Sequence, residues 1–150
     1  MAGARRIGIL TGGGDVPGLN SVIKSVVFQT KNMDYQVLGI RRGWEGLTHL
    51  DKGISLDPMY ILPLDRINTG GIDRTGGTIL HTSRTNPSKV KRASLPKNVP
   101  AEKLKPLEIA DGVYDLTPVV LDNLAHLGID CLIAYSYKSA LTARCSVCAP

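Results

Sequence analysis

The sequence predicts an α/β domain in three layers, with helices on both faces of a parallel sheet. Three observations carry that reading. The apolar run Ile7-Gly8-Ile9-Leu10 is stopped by three glycines and leads into residues at helical spacing. A second run of strand length, Gln36 to Ile40, follows that helix directly. A third, Ile129 to Ala134, follows a helix whose start and stop are both signalled. Apolar strands without alternation, separated by helices, belong to a sheet covered on both faces.

Taken in order, Ile7 to Leu10 is the first buried strand. Pro17 and Gly18 open a helix over 18–31, with Leu19, Val22, Ile23, Val26 and Val27 on one side and Asn20, Lys24 and Gln29 on the other. Gln36-Val37-Leu38-Gly39-Ile40 is the second strand, joined by a right-handed crossover, and Arg41 to Leu47 turn off it. Met59 to Leu64 reads as a strand that Pro63 pushes to an edge. Gly70-Gly71 and Gly76-Gly77 bracket Ile72 to Thr75 and concentrate backbone freedom there. Thr117 as cap, Pro118 at the first helical position and Gly128 past the end frame a helix with the stripe Val120, Leu121, Leu124 and Leu127. Ile129 to Ala134 is then a further central strand. The chain has no internal repeat and no second domain boundary.

Composition narrows the function classes. At 150 residues, 43% hydrophobic and 21% charged, the chain suits one folded domain rather than a disordered segment. No apolar run approaches the ~20 residues that span a bilayer, and the N-terminus has no signal-peptide pattern, so a cytoplasmic protein without membrane contact is expected. Arg84 to Lys105 holds seven of the cations and a single acid, Glu102. That stretch carries Pro87, Pro96 and Pro100 and no aromatic to stack on a base. It reads as a solvated loop surface or an electrostatic funnel for an anionic substrate, not a nucleic-acid face. Cys131, Cys145 and Cys148 are odd in number and argue against a disulfide framework. Cys145 and Cys148 supply half of a zinc site at most, and His49, His81 and His126 share no motif with them, so no metal site is expected.

The chemistry lies in the glycines. A strand ending in Thr11-Gly12-Gly13-Gly14-Asp15 and entering a helix bends sharply and brings backbone N–H groups close to a ligand. The helix N-terminus adds free donors and partial positive charge, a ready anion site. Asp15 would cap the helix or orient a basic group or a magnesium-bound water; both readings stand. The run is neither a Walker loop nor a dinucleotide fingerprint. A second cluster, Gly76-Gly77-Thr78 through Thr82-Ser83-Arg84, ends in a planar guanidinium suited to phosphate oxygens. The alternative is a surface arginine without a partner.

These segments together resemble the phosphofructokinase family. Residues 7–20 look like its opening, 37–47 like its second strand and following turn, 76–84 like its donor-phosphate loop, and 127–133 like the strand before its magnesium motif. The resemblance, which runs from residue 5 to about 134, implies a Rossmann-like fold and phosphoryl transfer from ATP or pyrophosphate, with Mg2+, to the 1-hydroxyl of fructose 6-phosphate. It implies donor-phosphate contacts at Gly13, Gly14, Asp15 and Arg84, with Arg84 also steadying transition-state charge, and a nucleotide contact at Trp44. Lys24 aligns with a basic effector position of the bacterial allosteric enzymes, while Phe28 replaces a second one. Thr82 to Pro87 looks more like the pyrophosphate-using and related non-allosteric branches, and the donor stays open. A homo-oligomer is implied at full length.

After Ala134 the family's glycine–aspartate motif is missing, and Tyr135 to Pro150 contains no acid. Residues 1–134 are therefore expected to be the donor-binding part of a domain incomplete on its C-terminal side, and 135–150 a divergent tail. The expected outcome is a truncated phosphotransferase, inactive alone, with no metal ligand of its own. The alternative is a non-catalytic module that binds donor phosphate or pairs with other subunits.

Overall fold

A computed structural model describes residues 5–14, 17–30, 33–136 and, by backbone alone, 139–144. Asp15, Cys145 and Cys148 lie outside the described residues.

The chain runs through β1 (Arg5–Gly12), α1 (Leu19–Thr30), β2 (Tyr35–Ile40), α2 (Trp44–His49), β3 (Ile61–Leu64) and α3 (Arg66–Thr69). It continues through β4 (Val90–Lys91), α4 (Ala101–Leu104), β5 (Glu108–Ala110), β6 (Val113–Tyr114), α5 (Thr117–His126), β7 (Cys131–Ser136) and β8 (Ser139–Arg144). The main sheet has the order β3-β2-β1-β7-β8. Its centre is parallel, with Leu10 beside Ile40 on one side and Ala134 on the other. Both edges are antiparallel: β3 runs against β2, and β8 against β7. Pro63 sits on the β3 edge, where its missing N–H breaks no inner ladder.

The pleat of β1 sends successive side chains to opposite faces and so builds the three layers. Ile9 packs with Ile23 and Val27 of α1, Val37, Leu64 and Leu80. Leu10 packs on the other face with Leu38, Ile40, Leu47 of α2, and Val120 and Leu124 of α5. Each such side chain, buried from water, contributes about 1.5–3 kcal/mol. Two glycines make room where layers press closest. A Cβ on Gly39 would stand 2.5 Å from a Leu80 methyl, and one on Gly8 would stand 2.9 Å from Ile129.

Four expectations shift. Arg41 to Leu47 is not only a turn: Arg42 and Gly43 take positive φ and α2 starts at Trp44. Thr117 is the first residue of α5 rather than its cap. The Asp115 carboxylate accepts the Thr117 N–H at 2.9 Å and serves that end instead. Leu121 is exposed and leaves the buried stripe to Val120, Leu124 and Leu127. The basic stretch is not plain loop either. It folds with 108–114 into a small sheet, β4-β6-β5, over Val90, Tyr114 and Leu116. Two-residue strands carry no periodicity for a sequence reading to find.

Candidate donor-phosphate site

The carboxyl ends of β1 and β7 lie side by side, with Gly12 paired to Ser136. The chain leaves β1 toward β2 on one side while β7 flanks it on the other, and such a divergence opens a crevice in α/β sheets. An open cleft of about 930 Å³ lies there, lined by Gly12, Gly13, Gly14, Trp44, Ser83, Arg84, Thr85, Asn86 and Ser136. Of the residues expected at a site, Gly13, Gly14, Arg84 and Trp44 thus come together in one cleft, from three separate segments. Asp15 lies outside the described residues.

Hydrogen bonds explain how segments 70 residues apart meet. The Gly13 N–H donates to the Ser83 carbonyl at 3.1 Å, with Gly13 at φ 81°. The buried Thr11 hydroxyl donates to the His81 carbonyl at 2.9 Å and lies 3.3 Å from the Thr78 hydroxyl. The Arg42 N–H donates to the Leu80 carbonyl at 2.7 Å. Leu80 is fully buried, which anchors the strip that ends at Arg84. His81 accepts φ 57° to make the bend. Arg84 itself is exposed and forms no salt bridge among the described residues. Gly14 has open space where a side chain would be. The Gly13 amide is spent inside the protein, so the groups left facing the cleft are those around Gly14, the hydroxyls of Ser83 and Thr85, and the Arg84 guanidinium.

Two supports escaped the sequence reading. Asn20 was expected on the polar side of its helix, yet it is 3% exposed. Its Nδ2 donates to the Thr75 carbonyl and hydroxyl at 3.3 and 3.2 Å, and its Oδ1 accepts the Ile79 N–H at 2.9 Å. It clamps the Gly76-Gly77 loop against α1. Gly43 is the second: a Cβ there would stand 2.7 Å from the Thr11 carbonyl oxygen. An asparagine in a helix and a glycine in a turn carry no local mark of such distant partners.

Lys24 is engaged elsewhere. Its Nζ donates to the Gly70 carbonyl at 2.7 Å and to Asp73 at 2.8 Å, and that bond holds the Asp73 carboxyl below its ordinary range. The Phe28 ring lies under the Arg66 guanidinium at 4.3 Å and near the Lys24 ammonium at 5.5 Å. Neither cation is idle.

Magnesium binds through carboxylates together with substrate phosphates. Among the described residues no group of three or more His, Cys, Asp or Glu is placed to hold a metal. The described lining of the cleft offers amide, hydroxyl and guanidinium groups without a carboxylate, so it does not fit a resident divalent cation.

Comparison with known proteins agrees with this geometry. A family model described as Phosphofructokinase matches residues 6–143. The chain is 35% identical over 137 residues to a pyrophosphate–fructose 6-phosphate 1-phosphotransferase of Streptomyces coelicolor, covering 91% of this chain and 31% of that protein. It is 36% identical over 135 residues to an ATP-dependent 6-phosphofructokinase of Aquifex aeolicus, covering 85% and 39%. The solved phosphofructokinase from Saccharomyces cerevisiae shares the fold over 87% of this chain and 13% of its own, with a TM-score of 0.59 at 23% identity. The T-state enzyme of Pichia pastoris overlays with a TM-score of 0.60 at 22% identity, over 89% and 11%. The chain spans 31% and 39% of the length of these two bacterial relatives. A glycine turn and an arginine strip held together at the carboxyl end of a parallel sheet, within a match running almost end to end, place this chain in the phosphofructokinase family.

Proposed function

We propose that the cleft binds the terminal phosphates of a phosphoryl donor, and that the chain is the donor-binding portion of a phosphotransferase acting on the 1-hydroxyl of fructose 6-phosphate. One observation carries the reading: the Gly13-to-Ser83 hydrogen bond at 3.1 Å, which sets Arg84 beside the glycine turn. Phosphoryl transfer asks for positioning and for charge to be met where it develops. The backbone around Gly14 approaches the phosphates without a side chain in the way. Arg84 offers paired donors to their oxygens and balances the charge that spreads over them in transfer. Ser83 and Thr85 add hydroxyl donors, and Trp44 walls the cleft on the side where a nucleoside would extend.

Magnesium, when it enters with the donor, neutralises phosphate charge; the residues described here hold the phosphates and not the ion. A sugar hydroxyl also needs a base to take its proton. No described residue of the cleft is a carboxylate, so we propose that the 150-residue chain binds donor without turning it over. The family relatives use ATP or pyrophosphate by name, and the cleft accommodates the phosphates common to both.

Calorimetric titration of the chain with pyrophosphate and with ATP tests the reading, alongside a phosphotransferase assay with fructose 6-phosphate and magnesium. Donor binding that weakens about 10- to 100-fold in Arg84→Ala, from loss of charge-assisted bonds, is the expected result. Equal binding by wild type and Arg84→Ala sinks the donor site. Turnover that disappears in Arg84→Ala sinks the claim of inactivity and names the donor.

A further inference from the structure

A second cleft, of about 620 Å³, shares Thr85 with the phosphate cleft. Glu45 and His49 of α2 line it together with Ser94, Leu95 and Lys97 from the segment after β4. The serine stands in an unusual sequence. The run Lys91-Arg92-Ala93-Ser94-Leu95 sets cations three and two residues before a hydroxyl and an apolar residue directly after it. No other Ser or Thr of the 150 residues has Lys or Arg at both of those positions. Paired cations with a following leucine complement a protein kinase whose substrate groove carries acidic side chains and an apolar pocket.

The fold leaves that hydroxyl within reach. Ser94 is exposed, and its hydroxyl makes no hydrogen bond among the described residues. It ends a single 3-10 turn, Arg92–Ser94, flanked by Lys91 at φ −76°, ψ 150° and Leu95 at φ −73°, ψ 142°, both extended. One backbone bond closes the turn, from the Leu95 N–H to the Arg92 carbonyl at 3.3 Å. Leu95 itself is only half-buried, and β4, which leads into the turn, is an edge of its small sheet. A segment held so lightly opens locally without unfolding the sheet behind it. Both cations are available as well. Lys91 is exposed and forms no ion pair among the described residues. Arg92 is 67% exposed and pairs with Glu108 at 3.3 Å, a surface contact that adds little and exchanges readily.

We propose that Ser94 is a phosphorylation site for a basophilic serine/threonine protein kinase. The phosphoryl group comes from a nucleoside triphosphate held by that kinase. Ser94 Oγ bonds to the γ-phosphorus as the bridging P–O bond breaks, and the diphosphate leaves with the electron pair. The hydroxyl proton passes to the kinase's own carboxylate base. The phosphoserine carries about −1.5 to −2 charge at pH 7. Glu45 and Lys97 oppose one another in sign on the cleft wall, so the modification turns that wall negative. The site does not depend on the reading of the phosphate cleft.

The test incubates the folded 150-residue chain with the catalytic subunit of cAMP-dependent protein kinase, magnesium and ATP, and maps the product by mass spectrometry. A peptide of residues 88–98 is run alongside. The expected result is a single phosphoryl group on Ser94 of the chain, and none in Ser94→Ala. Lys91→Ala and Arg92→Ala, both exposed changes, each lower the kinase's kcat/KM about tenfold or more, the loss of a charge-assisted pair. Labelling of the peptide but not of the chain overturns the proposal, because the fold then closes the site. Labelling of neither overturns the recognition by charge. Labelling that persists in Ser94→Ala, or that is indifferent to both cations, overturns it too.

Discussion

Replacing Gly43 by alanine tests whether the donor site depends on the packing behind it. Gly43 has φ 56° and ψ −132°, a conformation that favours glycine, and a Cβ there would lie 2.7 Å from the Thr11 carbonyl oxygen. An alanine in that conformation costs about 1–3 kcal/mol before any clash. Restoring ordinary contact, 3.4 Å or more, moves the Thr11 backbone by about 0.7 Å. Thr11 and Gly13 hold the 78–84 strip by bonds of 2.9 and 3.1 Å to His81 and Ser83, and a retreat of that size breaks at least one. Each lost bond adds about 1 kcal/mol. The expected loss is thus about 2–4 kcal/mol, or roughly 4–16 °C in Tm for a domain of this size. Urea unfolding measures the stability, and pyrophosphate titration the affinity, which should fall because Arg84 leaves the glycine turn. Gly14→Ala is the control. Its Cβ meets nothing within 4 Å, so stability should change by less than about 1 kcal/mol while affinity drops. Gly43→Ala with wild-type stability and affinity refutes the reasoning, and Gly14→Ala with wild-type affinity refutes the role of that turn.

Further outcomes follow from individual contacts. Asn20→Leu takes away the amide that the half-buried Ile79 N–H and the exposed Thr75 carbonyl share, so a loss of about 1–3 kcal/mol is expected in denaturant unfolding, with weaker donor binding. Arg84→Lys keeps the charge but loses the fork, and its donor affinity, read by calorimetry, should fall between wild type and Arg84→Ala. The Thr117 hydroxyl and then its N–H hold the Asp115 carboxyl below its ordinary value. Because the folded pKa is depressed, that contribution is fully present above about pH 4 and is lost as pH falls through the folded value. Unfolding between pH 2 and pH 6 should therefore be steeper in wild type than in Asp115→Ala, which itself costs about 0.5–1 kcal/mol near neutrality.

What could be read in the sequence and what could not divide along a physical line. The glycine turn, the strand at 36–40 and the stop of α5 were legible because each is coded where it acts. Gly13 and Gly128 adopt positive φ, at 81° and 62°, and Val37 to Ile40 are buried in a run. Arg84 was legible as chemistry but not as position. Its place beside the turn rests on Gly13 donating to Ser83 and on Thr11 donating to His81, pairings across 70 residues that no local pattern encodes. Asn20 was assigned to the solvent side for the same reason, since helical spacing reports which residues share a face and not whether a neighbouring loop needs an amide. The strand β3 and its edge place were expected, but its antiparallel direction was out of reach: Asp57 accepts the Tyr60 and Ile61 N–H groups on its carbonyl and turns the chain back onto β2. The motif residues therefore supply groups that can bind phosphate, while Thr11, Asn20 and Gly43 decide whether those groups face one another. Substitutions at these three should weaken donor binding even though none of them lines the cleft, and it is there that a chain keeping Gly13, Gly14 and Arg84 would lose its site.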